Sequence, residues 1–201
     1  MIVIKNQAHL PQLGISAGFT LALPDMACRN SKRLPYVLCL HDYGQNGERL
    51  LQTLACAPLV DEAKAALLLP NGQNGCFLNM AHGLMWETYL LEGLLPYAAR
   101  TFALQDPPKL YGVGTGGWAA ARLAAAYPKR FAASAAVNAI PNLPKMYADG
   151  KLSAMPDLEA AFGSGQAVPD YPLCEQTLWF HGAAVTDALQ TLLNEDWSTP
   201  A

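Results

Sequence analysis

The sequence predicts an α/β protein with a mostly parallel sheet and helices on both faces. Three observations predict it. Short apolar runs alternate with helical stretches along the whole chain. Runs such as Tyr36-Val-Leu-Cys-Leu40 are apolar without interruption, as strands buried on both sides are. The chain has 201 residues, 52% hydrophobic and only 14% charged, which suits one domain with a real core and excludes a disordered chain.

The elements follow in order. Strands are expected at Gly18–Leu23, Tyr36–Leu40, Ala66–Leu69, Lys109–Val113, Ala132–Val137 and Gln176–Phe180. Helices are expected at Glu48–Cys56, Trp86–Phe102, Trp118–Tyr127 and Thr186–Asn194. In Trp86–Phe102, Leu91, Leu95, Ala98 and Phe102 share one face, while Glu87, Glu92 and Arg100 are free to point outward. Pro96 lies inside that segment and should kink it or split it in two. From Pro141 to Pro172 five prolines and several glycines mark an excursion over the sheet, with a short helix at Asp157–Phe162. No internal repeat or low-complexity tail is present, so residues 1–201 read as a single domain.

Charge and cysteine usage narrow the partners. The net charge is −3, the pI is near 5.7 and no basic run occurs, which argues against nucleic acid. No apolar stretch reaches the length of a membrane span, and Met-Ile-Val-Ile-Lys-Asn-Gln lacks the charged head and long apolar core of a signal peptide. The five cysteines, at 28, 39, 56, 76 and 174, are odd in number and form no C-x-x-C, so buried free thiols in a reducing compartment are expected. A cytoplasmic location follows as an expectation.

The most informative stretch is Tyr111-Gly-Val-Gly-Thr-Gly-Gly-Trp-Ala-Ala120. An apolar strand enters a glycine cluster and an alanine-rich helix leaves it, the layout of a nucleophile elbow, G-x-S-x-G. Gly114 stands where that motif has its serine, so there is no heteroatom to form an acyl-enzyme. Gly112, Gly114 and Gly117 also satisfy G-x-G-x-x-G, a dinucleotide fingerprint. That reading ranks lower, because no Asp or Glu occurs from Trp118 to Ala148, where the ribose-binding acid should lie. A milder form is retained: the amides of Thr115, Gly116 and Gly117, facing the cleft at a helix start, would suit a small anion or a nucleotide phosphate.

Three segments resemble the esterase D group of α/β-hydrolases, which includes S-formylglutathione hydrolases and tributyrin-type esterases. Val37-Leu-Cys-Leu-His-Asp-Tyr-Gly-Gln-Asn46 is similar to that group's strand followed by H-G-x-G. Leu69-Pro-Asn-Gly, Met80-Ala-His-Gly83 and Trp86-Glu-Thr-Tyr89 resemble its "MP(D/N)G…MAHG…YETY". Gly112-Val-Gly-Thr-Gly-Gly117 followed by Tyr127-Pro-Lys-Arg-Phe-Ala-Ala133 resembles its G-L-S-M-G-G and "hPerFaaa". The resemblance spans roughly residues 15 to 195 and implies an α/β-hydrolase fold with a shortened C-terminus.

It also implies a serine, a histidine and an acid, and this chain departs at each. The nucleophile position is Gly114, and Thr115 lies one residue past the apex. The acid position after Trp179-Phe-His-Gly182 falls on Val185, with Asp187 two residues on; Thr186 and Asp187 are better suited to starting a helix. No histidine follows Asp187; the four histidines are His9, His41, His82 and His181, and none matches the base position. Tyr43 and Thr115 would supply the oxyanion-site amides, and Asp42 replaces the glycine of H-G, adding a carboxylate where an oxyanion would sit. His41, Asp42, Tyr43, Phe77, Trp86 and Trp118 are candidates to line the cleft. His41 beside Asp42 lacks further ligands at a metal-binding spacing, so no metal and no cofactor are expected.

The reading is a hydrolase-like protein that has lost catalysis and retains a binding or scaffolding role, with a small acyl or anionic ligand or a second copy of the chain as partner. The alternative is a weak or non-standard carboxylic-ester or thioester hydrolase, using Thr115, Asp187, His181 or a residue from a partner subunit.

Overall fold

The computed structural model describes residues 1–25, 33–163, 172–182, 184–195 and 197. Cys28 and residues 164–171 of the excursion, Pro169 among them, lie outside this set.

Seven strands form one sheet in the order β1-β2-β4-β3-β5-β6-β7. They are β1 (Ile2–His9), β2 (Ser16–Leu23), β3 (Leu34–Leu40), β4 (Ala66–Pro70), β5 (Leu104–Val113), β6 (Ser134–Val137) and β7 (Leu178–Phe180). β1 and β2 are antiparallel, β2 joins β4 antiparallel, and the remaining pairs are parallel. The predicted alternation of strand and helix therefore gives a parallel sheet, to which a hairpin is added at one edge. β1 was not anticipated, because Lys5, Asn6 and Gln7 interrupt its apolar residues. It forms because every residue pairs with β2 and alternate side chains are exposed, as an edge strand allows. β5 begins five residues earlier than expected: Gln105-Asp106-Pro107-Pro108 has a loop composition but joins the ladder to β3, with a register shift between Pro35 and Val37.

Two apolar layers enclose the sheet. On one face α1 (Gly47–Leu54), α2 (Ala57–Ala63) and α8 (Val185–Asn194) bury Leu50, Leu54, Val60, Leu189 and Leu192 against Val37, Leu67 and Val137. On the other lie α3 (Trp86–Thr88), α4 (Leu95–Thr101), α5 (Thr115–Ala126), α6 (Leu143–Ala148) and α7 (Leu158–Phe162). α2 and α6 were not predicted; each is short and opens on a proline in its first turn. Each buried leucine contributes about 1.5–3 kcal/mol, so the alternating apolar runs are sufficient to fix both layers.

The Pro96 problem is solved by a wider turn rather than a break. α3 continues through a π-helical segment, Tyr89–Leu94, into α4, and the Leu95 amide donates to the Leu90 carbonyl. Proline has no amide for the carbonyl four residues back, at Glu92. Gln12 Nε2 donates to that carbonyl at 3.2 Å instead. Glu87, expected to face outward, turns inward: Arg122 Nη1 donates to it at 2.6 Å and the Tyr127 hydroxyl at 2.5 Å. The second Arg122 nitrogen, Nη2, donates to the Phe77 carbonyl, which secures the loop before α3.

The described part of the excursion is packed, not draped. Leu143, Leu158, Ala161 and Phe162 join the core, and Phe162 meets Trp118 edge-to-face at 5.8 Å. The amides of Ala81 and His82 donate to Ala161 and Ala160.

Candidate functional site

The site is built where β3 and β5 end and α5 begins. Gly114 adopts φ 56° and ψ −121°, the sharp strand-to-helix turn of an elbow, and its conformation favours glycine. The turn is pressed hard against its neighbours. A Cβ at Gly112 would lie 2.1 Å from the Gly116 carbonyl oxygen, and one at Gly116 would lie 2.3 Å from that of Leu40. The glycine spacing thus follows from the close approach of α5 to the ends of β3 and β5, and requires no dinucleotide.

The atoms around Gly114 are more specific. A Cβ built there would stand 2.0 Å from Asp42 Oδ1, 2.1 Å from its Cγ and 2.3 Å from Oδ2. The Asp42 carboxylate occupies the space of a nucleophile side chain. Its Oδ1 accepts from the Tyr43 amide at 2.7 Å and the Thr115 amide at 2.8 Å. These are the two amides an elbow uses as an oxyanion hole, one from the residue after the nucleophile and one from the loop after β3. The distances fall in the roughly 2.7–3.1 Å window in which such donors hold a transition-state oxygen. Asp42 Oδ1 therefore lies where an oxyanion would lie.

Thr115, considered as a substitute nucleophile, is buried, and its hydroxyl donates to the same Oδ1 at 3.2 Å. The Cys76 thiol lies beside it. Burial and, to a lesser degree, the Asp42 charge push that thiol up to about 12 against the lowering effects of the Thr115 contact and Arg122, so it is protonated. Sequence reasoning missed Cys76, and no spacing signal marks it. The expected anion cradle is also altered. Gly117 N–H is turned to the Gly114 carbonyl at 3.1 Å, and the Thr115 amide is taken by Asp42. An external phosphate would meet a carboxylate rather than free donors.

His41 cannot act as a base from its place. Its Nδ1 donates to the Asp42 carbonyl at 2.7 Å and its Nε2 accepts from the Gly72 amide at 3.0 Å, which fixes one neutral tautomer. Burial lowers its pKa against the smaller opposing effect of Asp42. It packs edge-to-face on Phe77 and lies beneath the cleft rather than lining it. Trp86 and Trp118, also expected on the cleft wall, are 1% and 0% exposed and belong to the core, as does Phe77. Their places near the ends of sheet elements suggested the cleft wall; α3 and α5 bury them. His181, after β7, and Asp187, in the first turn of α8, are both exposed. Val185 does stand at the start of α8, but Thr186 does not cap that helix: its hydroxyl donates to the Leu54 carbonyl.

Two further features flank Asp42. On the excursion side, Asp157 Oδ2 accepts from the Tyr43 hydroxyl at 2.9 Å and Asn74 Nδ2 at 2.6 Å, while Asn74 Oδ1 accepts from the Gly44 amide. Those donors hold the Asp157 carboxyl below the usual carboxylate range. On the other side is a cavity of about 240 Å³ lined by Asp42, Gln45, Arg49, Leu50, Thr53, Val113 and Val185. Among the described residues no group of three or more His, Cys, Asp or Glu could hold a metal ion, and no helix is long and apolar enough to cross a membrane.

No protein-family profile and no curated protein matches the chain. Solved structures do. The chain is similar to FphF, a fluorophosphonate-binding serine hydrolase of Staphylococcus aureus, at 18% identity and a TM-score of 0.72, over 96% of this chain and 99% of that one. It is similar to the S-formylglutathione hydrolase FrmB of Staphylococcus aureus at 21% identity and a TM-score of 0.67, over 90% and 79%. An S-formylglutathione hydrolase of Agrobacterium tumefaciens matches at 18% and 0.68, over 83% and 65%. At these identities the likeness establishes the α/β-hydrolase fold that the sequence resemblance implied.

Proposed function

We propose that this chain is an esterase-like α/β-hydrolase that no longer hydrolyses and serves as a binding or scaffolding protein. One observation carries the reading: the Asp42 carboxylate occupies both the nucleophile's space at Gly114 and the oxyanion position between the Tyr43 and Thr115 amides. A tetrahedral intermediate needs an attacking atom and an empty donor pair. Here the first is replaced by glycine and the second is satisfied from within. A carboxylate at that point also repels the negative charge that acyl transfer develops. Thr115 offers a hydroxyl, but its partner is an acceptor already shared with two amides, and no histidine ring adjoins it among the hydrogen bonds of the described residues.

The test is turnover of p-nitrophenyl acetate, p-nitrophenyl butyrate and a formyl thioester, with labelling by a fluorophosphonate probe. The expected result is background turnover and no covalent label. Turnover above background that disappears in Thr115→Ala or His181→Ala would sink the reading and establish a non-standard hydrolase in its place.

A further inference from the structure

The cavity beside Asp42 contains two opposite charges that do not meet. Asp42 and Arg49 are its titratable lining residues. Asp42 Oδ1 is saturated by Tyr43, Thr115 and the Thr115 hydroxyl, whereas its Oδ2 receives no hydrogen bond among the described residues. The Arg49 guanidinium forms no ion pair or hydrogen bond among them either; its neighbour Glu48 is taken by Lys5. The Arg49 backbone is fixed, because Asn46 caps α1 by accepting from its amide at 2.8 Å, while its side chain is exposed where it lines the cavity. Leu50, Val113 and Val185 supply an apolar wall, and Gln45 and Thr53 add neutral polar groups. The charge of the lining is balanced, which disfavours a dianion or a dication.

We propose that this cavity binds a small zwitterion of the α-amino-acid type with an apolar side chain. Its ammonium meets Asp42 Oδ2, its carboxylate meets the Arg49 guanidinium in the paired geometry arginine favours, and its side chain lies on Leu50, Val113 and Val185. At about 240 Å³ the cavity is below the roughly 300–1,000 Å³ typical of drug-sized ligands, so the occupant is a small metabolite. The inference rests on the non-hydrolytic reading, since it gives Asp42 a permanent role in the site.

The experiment uses the full chain and calorimetric titration, with leucine, isoamylamine and 4-methylpentanoate as probes. Leucine is expected to bind, and each single-charge analogue to bind at least tenfold more weakly. Arg49→Gln should bring leucine down to the level of isoamylamine. Asp42→Asn, which keeps an oxygen for the two amides but removes the charge, should bring it down to the level of 4-methylpentanoate. The proposal is overturned if leucine fails to bind the folded protein, if isoamylamine binds as well as leucine, or if neither variant weakens binding. Ester turnover, measured separately, distinguishes the two failures: hydrolysis sinks the functional reading, whereas absent hydrolysis with absent leucine binding sinks this inference alone.

Discussion

The elbow and the β7–α8 segment meet at one cavity, and they are held in opposite ways. At the elbow every backbone position is fixed by close packing: Gly112, Gly114 and Gly116 each exclude a side chain, and α5 is buried along most of its length. Across the cavity, β7 is a half-buried strand of three residues, and His181 and Asp187 project into solvent. The family resemblance puts the nucleophile position in the first region and the acid position in the second. The Gly114 turn, with φ 56° and ψ −121°, is packed into the core. In the second region His181 and Asp187 are exposed and not constrained by packing, although Leu178, Phe180 and Val185 beside them pack on the core. The elbow's backbone is thus fixed by packing alone, and what the site can do depends on the atoms placed around it.

Substitutions at the elbow should give the largest effects. Gly114→Ser must place a Cβ inside the Asp42 carboxylate. It should cost about 2–6 kcal/mol, roughly half from the elbow backbone and half from two amides losing their acceptor. Urea unfolding midpoints would measure this. Combining it with Asp42→Gly should recover part of the loss; strictly additive midpoints would show that the two positions are independent.

Next comes the strand that links the two regions. Lys109 is fully buried in β5, and its ammonium donates to the Leu192 and Leu193 carbonyls at the end of α8 and stacks on Trp197. Lys109→Met removes the charged donor from those carbonyls, of which that of Leu192 keeps the Glu195 amide, and should cost about 1–3 kcal/mol, read as a lower unfolding midpoint and faster amide exchange in α8. An unchanged α8 would mean that the helix is held from elsewhere.

Asp42→Gly alone should lose less, about 1–2 kcal/mol, because the cavity lets water reach the freed amides. Its diagnostic is a gain: added acetate should raise the melting temperature of the variant and leave the parent unmoved. Equal responses would show that Asp42 does not block that position.

The acid limb of the stability curve should carry a signature of His41, the one histidine of the four that is buried. Its folded pKa is depressed below its usual value near 6.5 by burial. The unfolded chain therefore takes up the proton first, and the contribution is whole above about pH 6.5. It is lost as pH falls through the folded value. Unfolding midpoints at successive pH values should show that loss in the parent and a shallower one in His41→Gln.

The smallest effect belongs to the open side: His181→Ala and Asp187→Ala should each move stability by less than about 0.5 kcal/mol.

Much of this was legible in the sequence. Continuous apolar runs gave β3, β4 and the end of β5, and the glycine cluster gave the elbow, since burial on both faces and a forbidden Cβ leave direct marks on residue type. Replacement of H-G by His41-Asp42 announced a carboxylate near the oxyanion position. The sequence did not show that one carboxylate would fill the nucleophile's space as well, because that depends on a rotamer and on the spacing between two loops. Trp86 and Trp118 were misplaced for a related reason: an aromatic at a strand's end reads alike whether it faces a cleft or the core. Arg49 and Cys76 carry no motif and become notable only through what surrounds them.

β5 holds α8 at both ends. Lys109 grips its last carbonyls, and the Tyr111 hydroxyl, two residues further along the strand, donates to the Val185 carbonyl at 2.7 Å in its first turn. The wall of the Asp42–Arg49 cavity formed by Val185 is thus anchored to the same strand that leads into the elbow. Widening the cavity on the Val185 side would require breaking this partly buried bond. A molecule entering it meets an apolar wall already in place at Val113 and Val185 and has only the exposed Gln45, Arg49 and Thr53 side chains to order, so complex formation should show no slow closing phase.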